Sequence, residues 1–138
     1  RRDGSVQADL RALGVLSNKH IPHAYVASSR AQRLALLAGL IDSDGHRNAA
    51  WGGTYEITQK NRRLAEEIKF LCDTLGLRTS LTAKTARCQT GFEGVVWRVR
   101  FNGNLADAPI RVARKQAPPW SDVRDWTYVA ADGARRTV

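Results

Sequence analysis

The chain has 138 residues, which is enough for one domain with a single hydrophobic core and too few for two comfortable ones. Its 22 Lys and Arg against 13 acidic residues give a formal net charge of +9, which favours a polyanionic partner over an apolar or acidic one; a basic but uninvolved surface is the alternative. The polar start "RRDGSVQADL" and the short apolar run "LALLAGLI" lack the features of a secretory signal and a membrane span. We therefore expect a cytoplasmic, nucleoid-associated protein with no membrane partner.

The first elements are predicted to be a short helix and a loop. Ser5 can cap the helix "VQADLRAL", and Gly14 ends it. The stretch "SNKHIPHAY" that follows is predicted as a loop in which Pro22 sets the turn.

A second helix and a first hairpin come next. Ser28 or Ser29 caps a helix that runs from Arg30 to about Asp42. Two strand-like runs follow, "HRNAAW" and "TYEITQK", with a Gly-Gly turn at residues 52–53 between them.

The second half of the chain repeats this order. Asn61 begins the helix "RRLAEEIKFLCDTL", and the strands "LRTSLTAKTA" and "GVVWRVRFNG" form a second hairpin. A short helix near "NLADA" and the basic segment "RVARKQAPP" complete the pattern. The order predicts an α+β domain with a four-stranded antiparallel sheet backed by helices. The two cysteines, Cys72 and Cys88, share no metal-ligand spacing and are expected to be reduced and structural.

Alternation along the second hairpin separates an apolar face from a basic, polar one. In "LRTSLTAK" every second residue is Leu, Thr or Ala, and in "VWRVRF" the arginines alternate with large apolar residues. Arginines interleaved with Ser, Thr and Asn on an antiparallel ribbon suit the phosphates and base edges of a DNA major groove. An ordinary solvated sheet face shows the same alternation.

The stretch "LALLAGLIDSDGH", residues 34–46, combines small residues and acids within one apolar run. Small residues leave a shallow strip on which a second helix can approach closely. Two such helices would bring two Asp44 carboxylates together, an arrangement that a divalent cation such as Mg²⁺ stabilises. Metals shared in this way assist phosphodiester hydrolysis. The alternative is that the two acids only form a turn and bind no metal. The expected contact residues are Leu37, Ala38, Gly39, Leu40 and Ile41.

Within this stretch, "LAGLIDSDG" differs at one position from the signature of the LAGLIDADG homing endonucleases, and the chain resembles that family from about Asn18 to Pro119. "NKHIPHAY" and "QRLALLAGL" resemble the second endonuclease repeat found within inteins. The resemblance implies the αββαββα fold over residues 1–119, as a single repeat with an N-terminal helix. Residues 120–138 are then a C-terminal extension, which leads to a splicing domain or packs on the sheet through Trp120 and Trp126.

The resemblance also implies roles for single residues. Asp44 is the metal ligand, the backbone carbonyl of Ser43 faces the same metal, and Asp42 shapes the helix end. Gln59 in "ITQK" orders water at the scissile phosphate, and Lys115 stabilises charge or polarises water, with Arg114 as a competitor for that role. The implied cofactor is Mg²⁺, for which Ca²⁺ or Mn²⁺ can substitute in binding or in assay.

The family uses the polar sheet face to bind double-stranded DNA. Glu56 could accept from a cytosine amino group and the arginines could pair with guanine. The residues assigned to DNA are His46, Asn48, Glu56, Thr58, Lys60, Arg78, Ser80, Thr82, Lys84, Arg98 and Arg100.

A working site in this family needs two signatures, and the chain carries one. It is therefore expected either to be a homodimer or to be one repeat of a longer enzyme whose other half is missing. The expected function is a Mg²⁺-dependent, site-specific DNA endonuclease. A non-cleaving DNA-binding module and an RNA-binding helper of intron splicing are the alternatives.

Overall fold

A computed structural model describes residues 6–12, 14, 19–49, 53–91, 93–119 and 127–137. The helices and strands over these ranges follow the order expected for an α+β domain. In chain order they are α1 (Val6–Ala12), α2 (His23–Val26), α3 (Arg30–Asp44), β1 (Gly45–Asn48), β2 (Thr54–Gln59), α4 (Arg62–Thr74), β3 (Arg78–Arg87), β4 (Glu93–Asn102), a 3₁₀ helix (Ala113–Lys115), β5 (Thr127–Val129) and β6 (Arg135–Thr137).

The predicted four-stranded antiparallel sheet is confirmed. Its strand order is β1-β2-β4-β3, so each hairpin stays together and the two hairpins meet where β2 pairs with β4. The register at this junction places Glu56 opposite Arg100 and Thr58 opposite Arg98. Strands β5 and β6 form a separate two-stranded hairpin.

Helix α3 begins at a complete capping box. The Ser29 hydroxyl accepts from the backbone N–H of Gln32, and the Gln32 side chain accepts from the backbone N–H of Ser29. The helix continues to Asp44, two residues further than expected, and the chain turns directly into β1 at Gly45. A Cβ at Gly45 would lie 2.6 Å from the Cα of Ile41, so this exit from the helix requires glycine.

Helix α4 is tied to α3 at its C-terminal end. Asn61 caps the start of α4 by accepting from the Leu64 N–H. At the other end, Arg33 donates to the carbonyl of Thr74 at 3.0 Å and Arg30 donates to that of Leu75 at 3.4 Å. The positive side chains satisfy carbonyls that have no partner inside the helix.

The core lies between one face of the sheet and helices α3 and α4. Tyr55 and Phe101 stack in it with ring centroids 5.6 Å apart. The fully buried residues of α4 recur at the helical spacing expected from the sequence. The largest buried side chains are Tyr55, Phe101, Leu37, Ile41, Ile57, Ile68, Leu71, Leu105, Val99 and Cys72.

Some local predictions are wrong. Residues 23–26 form a short helix after Pro22 instead of continuing the loop. The "NLADA" stretch is a turn and not a helix, because the Asn104 side chain accepts from the backbone N–H of Ala106. Cys72 is buried as expected, whereas Cys88 is exposed and has no packing role.

A few predictions fall on positions outside the described residues. These are the Ser5 cap, the 52–53 turn at its first glycine, and the packing of Trp120 and Trp126. In the part of the chain that the structure describes, no helix is long and apolar enough to cross a membrane.

Candidate metal and nucleic-acid site

The end of α3 brings Asp44 and Gln59 together. The Gln59 amide Nε2 donates to the Asp44 carboxylate at 3.1 Å. The contact follows from the hairpin, because β1 starts right after Asp44 and the pairing of Gly45 with Ile57 brings the end of β2 alongside. Asp44 is exposed, and Ser43 beside it donates its hydroxyl to the Leu40 carbonyl. Carboxylate, amide and backbone oxygens are the donors that Mg²⁺ prefers.

The described residues of one chain do not gather a full set of metal-ligating side chains around Asp44. Among the described residues, no group of three or more His, Cys, Asp or Glu side chains is arranged to hold a metal ion. Asp42 does not join Asp44, because both of its carboxylate oxygens accept backbone N–H groups from another segment.

That segment is the stretch that leads into the 3₁₀ helix. Asp42 Oδ2 accepts from Arg111 N and Oδ1 from Val112 N, each at 3.0 Å. These two backbone hydrogen bonds are the main reason that the pKa of Asp42 is lowered, and the nearby charges of Lys115 and Arg111 act in the same direction. Asp42 thus shapes the helix end by fixing a distant segment against it.

Lys115 belongs to the same arrangement. Its side chain reaches back to the end of α3, where Nζ donates to the carbonyls of Ile41 at 2.8 Å and Asp42 at 2.9 Å. The residue is only 8% exposed, and its own carbonyl accepts from the buried Tyr55 hydroxyl at 2.5 Å. The competitor, Arg114, is exposed. Two of the three ammonium protons of Lys115 are therefore donated to backbone carbonyls at the end of α3.

The polar sheet face carries the side chains that the sequence assigned to DNA. Antiparallel register places the even-numbered residues of β1 to β4 on this face, in cross-strand rows such as Glu56, Arg100 and Ser80. Lys60 lies just beyond the end of β2 and is exposed. The apolar Val96 also lies on this face and is buried, opposite Lys84. The pattern did not predict this exception.

Glu56 lies between two arginines at the centre of this face. Its Oε2 accepts from Arg100 Nε at 3.1 Å, and its Oε1 lies 2.9 Å from Arg98 Nε in an ion pair without hydrogen-bond alignment. Beside this group is a shallow groove of about 590 Å³. Its lining residues are Asn48, Thr54, Glu56, Arg78, Thr79, Ser80, Arg100, Phe101 and Asn102.

The expected helix-contact strip is only partly exposed. Leu37 and Ile41 are fully buried and Ala38 is 1% exposed, all within the chain's own core. These three cannot form the surface of a contact with a second helix, so the prediction is corrected for them. Gly39 is exposed, with no atom within 4 Å of an added Cβ, and Leu40 is half-buried beside it. The strip that remains is Ala35, Leu36, Gly39, Leu40 and Ser43.

Comparison with known families agrees with this architecture. The family model described as a LAGLIDADG-like domain matches residues 31–106, from the first turn of α3 to just beyond β4, which is more than half of the chain. The chain belongs to the LAGLIDADG family. The match covers the LAGLIDADG signature helix and both hairpins, and Lys115 lies outside it.

Two curated mycobacterial proteins contain regions similar to this LAGLIDADG domain. Replicative DNA helicase DnaB of Mycobacterium intracellulare is 39% identical over 99 residues, which are 72% of this chain and 17% of the helicase. An iron-sulfur cluster assembly SufBD family protein of Mycobacterium leprae (strain TN) is 32% identical over 133 residues, 91% of this chain and 15% of that protein. The chain therefore spans less than a fifth of either relative.

Proposed function

We propose that this LAGLIDADG domain is one repeat of a site-specific endonuclease that hydrolyses phosphodiesters in double-stranded DNA. The observation that supports the proposal is the Asp44–Gln59 pair, at 3.1 Å, located where the signature helix meets the sheet. It combines an exposed carboxylate with an amide able to orient water, next to a face rich in arginine. An endonuclease needs these two features close together, because the arginine-rich face would bind the DNA phosphates and the carboxylate–amide pair would act on one of them.

The metal in this proposal is Mg²⁺, held by the Asp44 carboxylate and the backbone carbonyl of Ser43. A bound Mg²⁺ would supply Lewis-acid stabilisation of charge on the scissile phosphate. Gln59 holds water beside Asp44 through its amide. Of the two roles expected for Lys115, charge stabilisation suits its geometry better, because two of its ammonium protons are engaged by backbone carbonyls.

A second repeat completes the site in this proposal. Two Asp44 carboxylates sharing metal would come from two signature helices in contact through the exposed strip around Gly39 and Leu40. The partner is either a second copy of this chain or a different repeat from a longer protein. A second copy would place its own Asp44 next to the first, and a different repeat would place the corresponding acid of its signature there.

An intein-type origin is supported by the two relatives. Their names describe a DNA helicase and an iron-sulfur cluster assembly protein, which are unrelated in function. A small region similar to both, covering less than a fifth of each, fits a mobile insert better than it fits either host's own activity. We infer that this repeat belongs to such an insert.

The test is selection of duplexes from a randomised DNA pool by binding in Ca²⁺, followed by addition of Mg²⁺ and sequencing of cleaved ends. We expect a staggered double-strand cut; a near-palindromic site would indicate a homodimer and an asymmetric site a different second repeat. Asp44→Asn should abolish cutting while binding stays within about tenfold, because most phosphate contacts lie on the sheet face. Asp107→Asn, an exposed acid in the 104–108 turn, is the matched control and should cut normally.

Three outcomes would contradict the proposal. Cutting by purified Asp44→Asn would remove Asp44 from the assigned role. Sequence-specific duplex binding without cutting, by the wild-type chain together with its second repeat, would leave a non-cleaving DNA-binding module. Preference for structured RNA over duplex DNA would instead favour a helper of intron splicing.

A further inference from the structure

Glu56 is the acidic residue at the centre of the sheet face assigned to DNA, and both of its oxygens face arginines. Arg98 and Arg100 are two residues apart on β4, so their side chains lie on the same face of the strand. Without a counterion between them, two guanidinium groups at this spacing would repel one another. The carboxylate of Glu56, reaching across from β2, allows both to lie on this face.

The three side chains differ in exposure. Arg98 is 17% exposed, Glu56 28% and Arg100 50%. Arg98 is thus mostly covered, whereas Arg100 projects from the face beside the groove lined by Asn48, Ser80 and Asn102. Because Arg100 is the more exposed of the two arginines, it is the one more accessible to a ligand on the sheet face.

This arrangement argues against direct base reading by Glu56. Its negative charge is already compensated by two arginines, and a cytosine amino group could reach only the carboxylate lone pairs that they leave open. Arginine fixed by a carboxylate is instead a pre-organised group, because the rotamers needed for bidentate pairing with guanine are set before binding.

We propose that Glu56 is a specificity-determining positioning residue, which orients Arg100 toward guanine and neutralises half of the local arginine charge. Arg98 supports Glu56 from the other side. The neutralisation weakens binding to phosphates of any sequence, and the fixed geometry preserves binding to the correct base. This inference rests on the proposed DNA-binding function and adds the mechanism of its selectivity.

The test compares Glu56→Gln with wild type on two duplexes, the one recovered by selection and a scrambled duplex of equal length and composition. We expect Glu56→Gln to bind the scrambled duplex about 5–10-fold more tightly. Its affinity should also fall more steeply with salt concentration, by the amount that about one additional phosphate contact produces. The ratio of specific to scrambled affinity should fall about tenfold. Adding Arg100→Gln to the variant should reverse the gain on the scrambled duplex.

The matched control is Glu93→Gln, which makes the same change in charge on β4 of the same sheet. Glu93 pairs with Arg87 at 2.7 Å, and both side chains are largely exposed, at 56% and 79%. We expect this variant to bind the scrambled duplex no more than about twofold tighter, with the affinity ratio retained. Thermal unfolding of all variants shows whether a change in binding reflects a change in folding.

Several results would overturn the inference, and one of them would also contradict the proposed function. An affinity ratio unchanged in Glu56→Gln would show that Glu56 does not set selectivity. Loss of discrimination at a single cytosine position alone would show that Glu56 reads that base directly. A wild-type chain that binds no duplex in any sequence would overturn the DNA-binding function itself, and this inference with it.

Discussion

The Nζ of Lys115 lies 2.8 Å from the carbonyl oxygen of Ile41, 74 residues earlier in the chain. Together with Asp42, which accepts from Arg111 and Val112, it closes a two-way clamp between the end of the signature helix and the basic segment. Asp44 lies two residues after Asp42, the second of the clamped residues. Its position relative to Gln59 therefore depends on contacts that neither residue makes itself.

Replacing Lys115 should destabilise the fold. Lys115→Met leaves two carbonyls at the end of α3 without their charged donor, and we expect a loss of about 1.5–3 kcal/mol in the free energy of unfolding. Arg114→Met, on the same 3₁₀ helix but exposed, should change it by less than about 0.5 kcal/mol. Urea unfolding of both variants measures the difference. Equal stability of the two variants would show that the hydrogen bonds of Lys115 do not stabilise the fold.

Asp42 should make the stability depend on acid pH. Its folded-state pKa is lowered from the ordinary value of 3.8, so its contribution is present above that value and is lost as the pH falls through the folded-state pKa. Asp42→Asn should be less stable at neutral pH and lose less stability on acidification. Free energies of unfolding between pH 7 and pH 3, with Asp107→Asn as control, test this. Parallel pH curves for wild type and Asp42→Asn would contradict it.

Two glycines of the signature should respond in opposite ways to alanine. Gly45→Ala places a Cβ 2.6 Å from the backbone of Ile41, and the strain should cost about 1–3 kcal/mol. Gly39→Ala meets open space on an exposed helix face and should stabilise the chain by roughly 0.5–1 kcal/mol. Both values are best measured at low protein concentration, where self-association does not contribute. A loss of stability in Gly39→Ala under these conditions would contradict the assigned geometry.

The two cysteines should differ sharply in reactivity. Burial raises the pKa of the Cys72 thiol to about 12, whereas Cys88 is exposed. A maleimide at neutral pH should modify one thiol in the native chain and two after unfolding. Cys88→Ser should show no native labelling, and rapid labelling of that variant would mean that the core around Cys72 opens readily.

Much of the fold could be predicted because its signals are local. The capping residues Ser29 and Asn61 and the apolar spacing of α4 act within a few residues of each other, so the helices were predicted to begin where they do. The alternation in "VWRVRF" likewise assigned Arg98 and Arg100 to the polar face. Local signals failed at "NLADA", where a side-chain hydrogen bond to the backbone competes with helix formation.

The contact strip on α3 shows a different limit. Leu36, Leu37, Leu40 and Ile41 form a broad apolar arc of about 140° on the helix, so periodicity could not tell which edge of it faces the sheet. Packing of α3 against the sheet buries Leu37 and Ile41 and leaves Gly39 and Leu40 outward. That choice depends on how the whole domain assembles.

The α+β order, the helix α3 with Asp44 at its end, and the residues of the basic sheet face could all be predicted from the sequence. Each of these depends on neighbours along the chain or on a motif of nine residues, "LAGLIDSDG". In contrast, the contacts of Lys115 and Asp42 at the helix end, and those of Glu56 with two arginines, arise from the folded arrangement of the chain. These are hydrogen bonds and ion pairs between residues from 42 to 74 positions apart, and their partners are set by how the chain folds back on itself, which no local pattern encodes.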